Sequence, residues 1–276
     1  MLRRLFRGKQ QVAEDPEVVI PGAKQGGHGD HWGCILRSLD EGRLIGDLTT
    51  VTQKDDHPVT FGNVTRGLAF RSEEGPVRSC VLVVKNTLAS AYPEIEDGAV
   101  WPVLIREVIP WANGIEGQIS GVCYGAAIQF FDTRFYASAH NYRVGETYNF
   151  KMGALAYTIG HAPETEAASD IGASISFKGA SAFMPASTSG EGADIDDYWF
   201  HSPLNGEVTE TSLFGQRLRI YPIILAIPSD FEMHLPVFAA DHVVAADMEL
   251  ARVEDDLQGY LWLQGHLAED PEETEE

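Results

Sequence analysis

Cysteine is scarce in this sequence, and its few copies form no recognisable pattern. The 276 residues include three cysteines, Cys34, Cys80 and Cys123, and none of them belongs to a C-x-x-C pair. Disulfide-stapled domains and cysteine-rich zinc modules depend on closely spaced pairs, so this spacing argues against both. We therefore expect free thiols and a cytoplasmic location.

Long hydrophobic runs are also missing. No apolar stretch approaches the roughly 20 residues that a membrane-spanning helix requires. Within residues 2–11, the apolar side chains are Leu2, Leu5 and Phe6, whereas an export signal needs a longer apolar core. The sequence therefore predicts neither a membrane span nor an export signal.

Basic residues are few relative to acidic ones. Lys and Arg number 20 against 41 Asp and Glu, which gives a formal net charge of −21. Hydrophobic residues still make up 44% of the chain, so the acidity belongs to a folded protein rather than to a disordered one. Because such a surplus repels phosphates and anionic lipids, contact with a nucleic acid or a membrane surface would need a local basic patch, and we do not expect a nucleic acid as partner.

The sequence does contain many short segments that are rich in Val, Ile, Tyr and Phe and bounded by Gly, Pro, Asn or Asp. This pattern is typical of strands, and it occurs in residues 78–85, 100–109, 115–124, 127–131, 147–159, 207–213, 217–227, 231–238 and 257–267. Helical spacing is limited to residues 86–91 and 241–253. We predict a mainly β fold with short helices, a β-rich α+β class, built as two barrel-like or sandwich-like units.

Changes in composition divide the chain into five segments. Residues 1–30 form an N-terminal arm with a Gly-rich end, and residues 31–160 form a first β-rich unit. In residues 161–193, Ala, Ser and Gly supply 18 of 33 positions, which is typical of a linker or a lid. Residues 194–268 form a second β unit, and residues 269–276 are an acidic tail that we expect to be disordered.

The second β unit resembles an OB-type β-barrel at the level of its strand pattern. A strand at residues 207–213 is followed by a hairpin at 217–238, a helix at 241–253 and a late strand at 257–267. The resemblance covers residues 206–267 and includes no diagnostic motif. It implies a small barrel with an aromatic-bearing face.

A glycine-rich cluster near the N-terminus is the strongest candidate for metal binding. Its residues Gly26 to Cys34 include His28, Asp30 and His31. Imidazole and carboxylate groups are transition-metal ligands, and glycines let a loop fold around an ion. A distant fourth ligand, such as His57 or His161, would complete a zinc or other divalent-metal site. The competing interpretation is an exposed Gly-rich entry loop whose histidines are solvated or hydrogen-bonded.

Aromatic residues are concentrated in the second β unit. They include Tyr198, Trp199 and Phe200 in consecutive positions and Tyr260 and Trp262 on one predicted strand. Residues two apart share one face of a strand, so Tyr260 and Trp262 are expected on the same side of the sheet. Core packing explains most of these rings, and a minority at a rim beside acidic residues would suit a basic ligand or a protein partner.

No convincing catalytic set accompanies this acidity. We therefore expect a cytoplasmic binding or adaptor protein whose acidic surface engages a basic partner protein, with nucleic-acid mimicry as one variant of that function. No cofactor is expected for this function. The alternative is a metal-dependent hydrolase in which His28, Asp30 and His31 hold an ion that activates water.

Overall fold

A computed structural model of the protein describes residues 27–62, 66–73, 75–163, 166–168, 174–176, 178–186, 194–226 and 232–268. Most of the predicted arm at residues 1–30, the predicted acidic tail at residues 269–276 and much of the predicted linker at residues 161–193 lie outside these ranges. Those expectations stay predictions.

The helices of the described residues are few and short. The α-helices are α1 (Gly29–Gly33), α2 (Glu41–Lys54) and α3 (Phe135–Ser138), and single 3-10 turns cover Ala139–Asn141 and Ala246–Leu250. Helix α2 begins at an N-cap aspartate, since the Asp40 carboxylate accepts a hydrogen bond from the Arg43 backbone N–H at 3.1 Å. Of these helices, none has the length and apolar character needed to cross a membrane.

Sixteen strands account for most of the described part of the chain. They are β1 (Val59–Phe61), β2 (Gly67–Arg71), β3 (Val77–Val84), β4 (Thr87–Ile95), β5 (Ala99–Pro110), β6 (Gly117–Cys123), β7 (Ala126–Asp132), β8 (Thr147–His161), β9 (Glu166–Ala168), β10 (Ser174–Ser176), β11 (Ala182–Pro185), β12 (Asp197–Pro203), β13 (Thr209–Leu213), β14 (Gln216–Ala226), β15 (Glu232–Ala240) and β16 (Asp256–Leu267).

Five strands close into a barrel, and a second sheet lies apart from it. The barrel follows the order β16-β7-β6-β5-β8 and is closed because β8 pairs again with β16. Strands β12 and β11 continue this sheet beyond β16, and β15, β14 and β13 continue it beyond β8. The separate sheet is antiparallel with the order β1-β2-β3-β4, and β9 and β10 form a two-stranded pair.

Side chains on opposite faces of the strands pack into two hydrophobic cores. Alternate residues of β16, such as Leu261 and Leu263, enter the barrel core together with Phe130 and Phe150. Trp262, between them, belongs to a second core that lies between the barrel, the separate sheet and the first two helices. This alternation is the period-2 pattern of a strand that is buried on both faces.

Buried charges connect the separate sheet to the barrel. Glu94 at the end of β4 is fully buried, and its carboxylate accepts a hydrogen bond of 2.7 Å from Arg134 Nε and lies 3.2 Å from Arg71 Nε. Arg134 also pairs with Glu96. A buried carboxylate is tolerated only when it is paired in this way, so loss of one arginine leaves an uncompensated charge.

The predicted fold class is confirmed, but the details of two segments are wrong. All nine predicted strand segments contain strands. Residues 86–91, predicted to be helical, instead form the β3–β4 turn and part of β4, because Lys85 and Asn86 adopt left-handed backbone angles that close a hairpin.

The second incorrect prediction is the helix at residues 241–253. Their backbone pairs with β8: Ala245 N–H donates to the Ile159 carbonyl at 2.9 Å, and Ile159 N–H donates to the Val243 carbonyl at 3.0 Å. These groups are therefore unavailable for a continuous helix, and only the short 3-10 turn Ala246–Leu250 forms.

The barrel also differs in position from the OB-type resemblance. Residues 206–267 contribute one of its five strands, β16, and the other four come from residues 99–161. Strands on both sides of residues 161–193 are thus hydrogen-bonded within one sheet. The division of the chain into the five segments defined above stays a prediction.

A buried carboxyl group makes the stability of the fold depend on pH. Burial raises the pKa of Asp132 to about 7, although Tyr142 Oη donates to its Oδ2 at 2.7 Å and Arg134 N–H donates to its Oδ1 at 2.9 Å. The folded protein therefore holds a proton between about pH 4 and about pH 7 that the unfolded chain releases.

We accordingly predict that the free energy of unfolding contributed by Asp132 falls as pH rises from about 4 to about 7 and is level above that range. In Asp132→Asn this part of the pH dependence disappears. The free energy of unfolding of the variant, relative to that of the natural protein, should therefore be higher at about pH 8 than at about pH 5. Urea unfolding at both pH values measures the difference. The exposed Asp56→Asn is the control, and parallel profiles for Asp132→Asn and the natural protein would contradict the prediction.

Candidate functional site

The structure separates the five aromatic residues that the sequence indicates as binding candidates. Tyr198 and Phe200 are buried in the barrel core, and Trp262 is buried in the second core. Trp199 is partly exposed, and Tyr260 is 41% exposed. Two of the five rings are therefore positioned to contact a partner.

Trp199 and Tyr260 form a cross-strand pair. They lie directly opposite each other in the antiparallel register of β12 and β16, on the outer side of the sheet. Side chains opposite each other in such a pair are close enough to form one continuous surface. Of the five tryptophans, Trp199 is the one that is not fully buried.

This pair borders a groove of about 590 Å³, which we call the aromatic groove. Its lining also includes Tyr157 and His161 of β8, together with His242 and Asp247 of the segment that follows β15. That segment belongs to residues 241–253, which the sequence wrongly predicted to be helical. Its backbone hydrogen bonds with Ile159 keep it extended, and it forms one wall of the groove. The groove therefore depends on this segment not being a helix.

The charge around the aromatic groove is negative. None of the described residues that line it is Lys or Arg, and Asp247 contributes an exposed carboxylate. Asp197 stands two residues before Trp199, hence on the same face of β12. Its carboxylate accepts hydrogen bonds of 2.8 Å from Tyr157 Oη and from Asp194 N–H. Burial raises the pKa of Asp197 to about 6, so the group is ionised at neutral pH.

Gly259, which lines the aromatic groove, permits a close approach between β16 and β8. A Cβ atom at Gly259 would lie 2.0 Å from the Thr158 carbonyl oxygen. The register between β8 and β16 also shifts between Tyr260 and Leu261, where Tyr157 is the unpaired extra residue. Glycine thus permits the close approach, and the bulge accompanies the change from exposed Tyr260 to buried Leu261.

Two of the three predicted metal ligands come together, but with different partners from those expected. His28 and His31 are both buried, and their Nδ1 atoms are 2.8 Å apart, so one of the two carries the shared hydrogen. His28 Nε2 lies 2.6 Å from Glu116 Oε1 and donates its hydrogen to that carboxylate. His31 stacks on Trp262 with ring centroids 3.6 Å apart.

Asp30 does not join the histidines, because its side chain is exposed while theirs point inward. Among the described residues, no group of three His, Cys, Asp or Glu side chains is arranged to hold a metal ion. The suggested fourth ligands are also separate: His57 is exposed, and His161 lines the aromatic groove. The donor set therefore does not fit the zinc or other divalent metal that the sequence suggested.

The cysteines offer no nucleophile. Cys34, Cys80 and Cys123 are free and buried. Burial raises the pKa of each thiol, and for Cys123 the value is about 11. A thiol that stays protonated at neutral pH is a poor nucleophile, so these residues act as small apolar side chains.

Sequence patterns did not indicate Glu116, the buried partner of His28. Asn113 and Gly114 form a turn between Trp111 and Glu116, in which Asn113 Oδ1 accepts hydrogen bonds from the backbone N–H groups of Ile115 and Glu116. An Asn-Gly pair between two apolar segments is a turn signal that was available in the sequence. It predicts the loop but not the distant histidine that the loop meets.

No family model matches the chain, and no curated protein or solved structure matches it. The roles of residues at both sites therefore rest on geometry and chemistry.

We predict that Gly259→Ala lowers the free energy of unfolding by about 1–3 kcal/mol, because the added methyl group has no room beside the Thr158 carbonyl. Chemical denaturation followed by circular dichroism measures the change. Gly46→Ala is the matched control: it lies in the exposed interior of α2 with no atom near the new methyl group. That variant should be more stable than the natural protein by about 0.5–1 kcal/mol. Equal effects of the two substitutions would show that the close approach is not restrictive.

Proposed function

We propose that this chain is a binding or adaptor protein that engages a basic partner protein through the aromatic groove. The observation that carries the proposal is the outward-facing pair Trp199 and Tyr260 in a groove whose described lining includes Asp247 and lacks Lys and Arg. Asp197 lies behind this lining, hydrogen-bonded to Tyr157. Aromatic faces next to carboxylates form a surface that favours cationic side chains.

The expected energies agree with recognition of a few Lys or Arg side chains. A cation over an exposed ring contributes about 0.5–1 kcal/mol, and about 2 kcal/mol once water is excluded. The planar guanidinium of arginine also stacks on aromatic rings and pairs with carboxylates. The net charge of −21 adds long-range attraction that mainly accelerates association with a basic partner.

The same features disfavour other classes of ligand. A groove bordered by carboxylates repels a phosphate backbone, so stacking of nucleobases on Trp199 and Tyr260 would lack its usual basic neighbours. Nucleic-acid mimicry stays a variant of the proposal in which the partner's basic surface is a nucleic-acid site. The hydrolase alternative is not pursued, because His28 and His31 bond to each other rather than converging with Asp30.

We place this interaction in the cytoplasm. The proposal is supported by the three free cysteines, since a reducing compartment keeps thiols in that state.

The experiment uses the full chain and a fluorescein-labelled deca-arginine peptide, with binding followed by fluorescence anisotropy. We expect Trp199→Ala and Tyr260→Ala each to weaken binding about fivefold, which corresponds to loss of about 1 kcal/mol of cation–π attraction. Binding should also weaken steeply as salt rises from about 50 to about 300 mM. Bound peptide should protect the partly exposed Trp199 from acrylamide quenching.

Tyr124→Ala is the matched control, because Tyr124 is 40% exposed, almost the same as Tyr260, and does not line the groove. A deca-lysine peptide tests the preference for guanidinium. If salt weakens peptide binding but Tyr260→Ala and Tyr124→Ala change the affinity equally, the peptide is attracted by the overall negative charge of the protein. The groove is then not the binding site.

A further inference from the structure

Four aromatic rings enclose the imidazole of His28. Its ring centroid lies 4.9 Å from that of Tyr92, 5.3 Å from Trp111, 5.0 Å from Phe131 and 5.8 Å from Trp262. The four rings come from β4, the β5–β6 loop, β7 and β16. We call these four residues the aromatic cage.

A carboxylate completes the cage. Glu116 is only 2% exposed, and its Oε1 accepts hydrogen bonds from His28 Nε2 at 2.6 Å and from Ser90 Oγ at 2.7 Å. Asn113 Nδ2 donates to its Oε2. Ser90 and Asn113 are neutral donors, so His28 is the hydrogen-bond partner of Glu116 that can carry a positive charge. Aromatic faces and a buried carboxylate together select an organic cation over an apolar group.

The residues on either side of the occupant lie at the molecular surface. Gly27, Gly29 and Asp30 on either side of His28 are exposed, whereas the His28 ring is buried. His28 also occupies the N-cap position of α1 without making a side-chain cap hydrogen bond. Side chains at this position usually bond to the helix backbone, so the imidazole is committed to the cage. One side chain therefore fills a site that lies directly beneath an exposed turn.

We propose that the aromatic cage is a binding site for an organic cation of side-chain size, such as a quaternary ammonium group, and that His28 is its occupant supplied by the chain itself. The proposal does not rest on the aromatic groove. His31, hydrogen-bonded to His28 and stacked on Trp262, covers the cage on the side of α1.

The test removes the occupant and offers a replacement. His28→Ala in the full chain leaves a space that choline should fill, with a saturable rise in melting temperature and a change in tryptophan fluorescence from Trp111 and Trp262. The neutral isostere 3,3-dimethyl-1-butanol should need about a tenfold higher concentration for the same rise, because it has the shape but not the charge. The natural protein should respond to neither compound, and sodium chloride at equal concentration controls for ionic strength.

The carboxylate supplies a second discriminator. In His28→Ala combined with Glu116→Gln, the preference for choline over the neutral isostere should be lost. Equal responses of His28→Ala to both compounds would show a hydrophobic cavity rather than a cation site, and the absence of any response would also overturn the proposal.

A further pair of variants decides the case in which His28→Ala does not fold. His28→Lys places an ammonium group near Glu116, and His28→Leu places an apolar group of similar bulk there. We expect the lysine variant to have the higher melting temperature and Glu116→Gln to remove that difference. A lysine variant no more stable than the leucine variant, including failure of both to fold, contradicts a cation-selective cage.

Discussion

The pairing of β16 with β8 is the constraint on which the rest of the structure depends. It runs from Leu257 to Leu267 and joins the late strand to the middle of the chain. This pairing closes the barrel, so one face of β16 packs inside and the other packs against the separate sheet. Tyr260 and Trp262 share that second face. One ring borders the aromatic groove and the other belongs to the aromatic cage, so both candidate sites are held in place by the same strand.

Two buried carboxylates stabilise the contact between the sheet and the barrel in different ways. Glu94 is neutralised by Arg71 and Arg134, whereas Glu116 is held by a histidine and two neutral donors. Removing one partner of a buried charge costs more than the pair itself contributes, because the remaining charge has lost its water. The position of α1 is therefore coupled to the junction of sheet and barrel through His28, although the helix itself is only five residues long.

Sequence patterns predicted nine strand segments correctly because alternation is local and each of these segments contains at least one buried side chain. The same patterns failed at residues 241–253, where the spacing of Val244, Met248 and Val253 resembles a helix but backbone bonds to Ile159 decide the conformation. Trp199 and Tyr260 were found through their residue type, and only the register of β12 and β16 shows that they are adjacent. The aromatic cage could not be predicted, since its four rings and Glu116 are brought together by contacts between distant parts of the chain.

The ten-stranded sheet ends in two short edge strands. At one side is β11, which has four residues and finishes at Pro185, and at the other is β13, which has five residues and exposes Thr209 and Glu210. An edge with few free backbone donors, a proline or a charged side chain is a poor template for strand addition by a neighbouring molecule. The ten-stranded sheet thus limits edge-to-edge aggregation through the shortness and chemistry of its outermost strands.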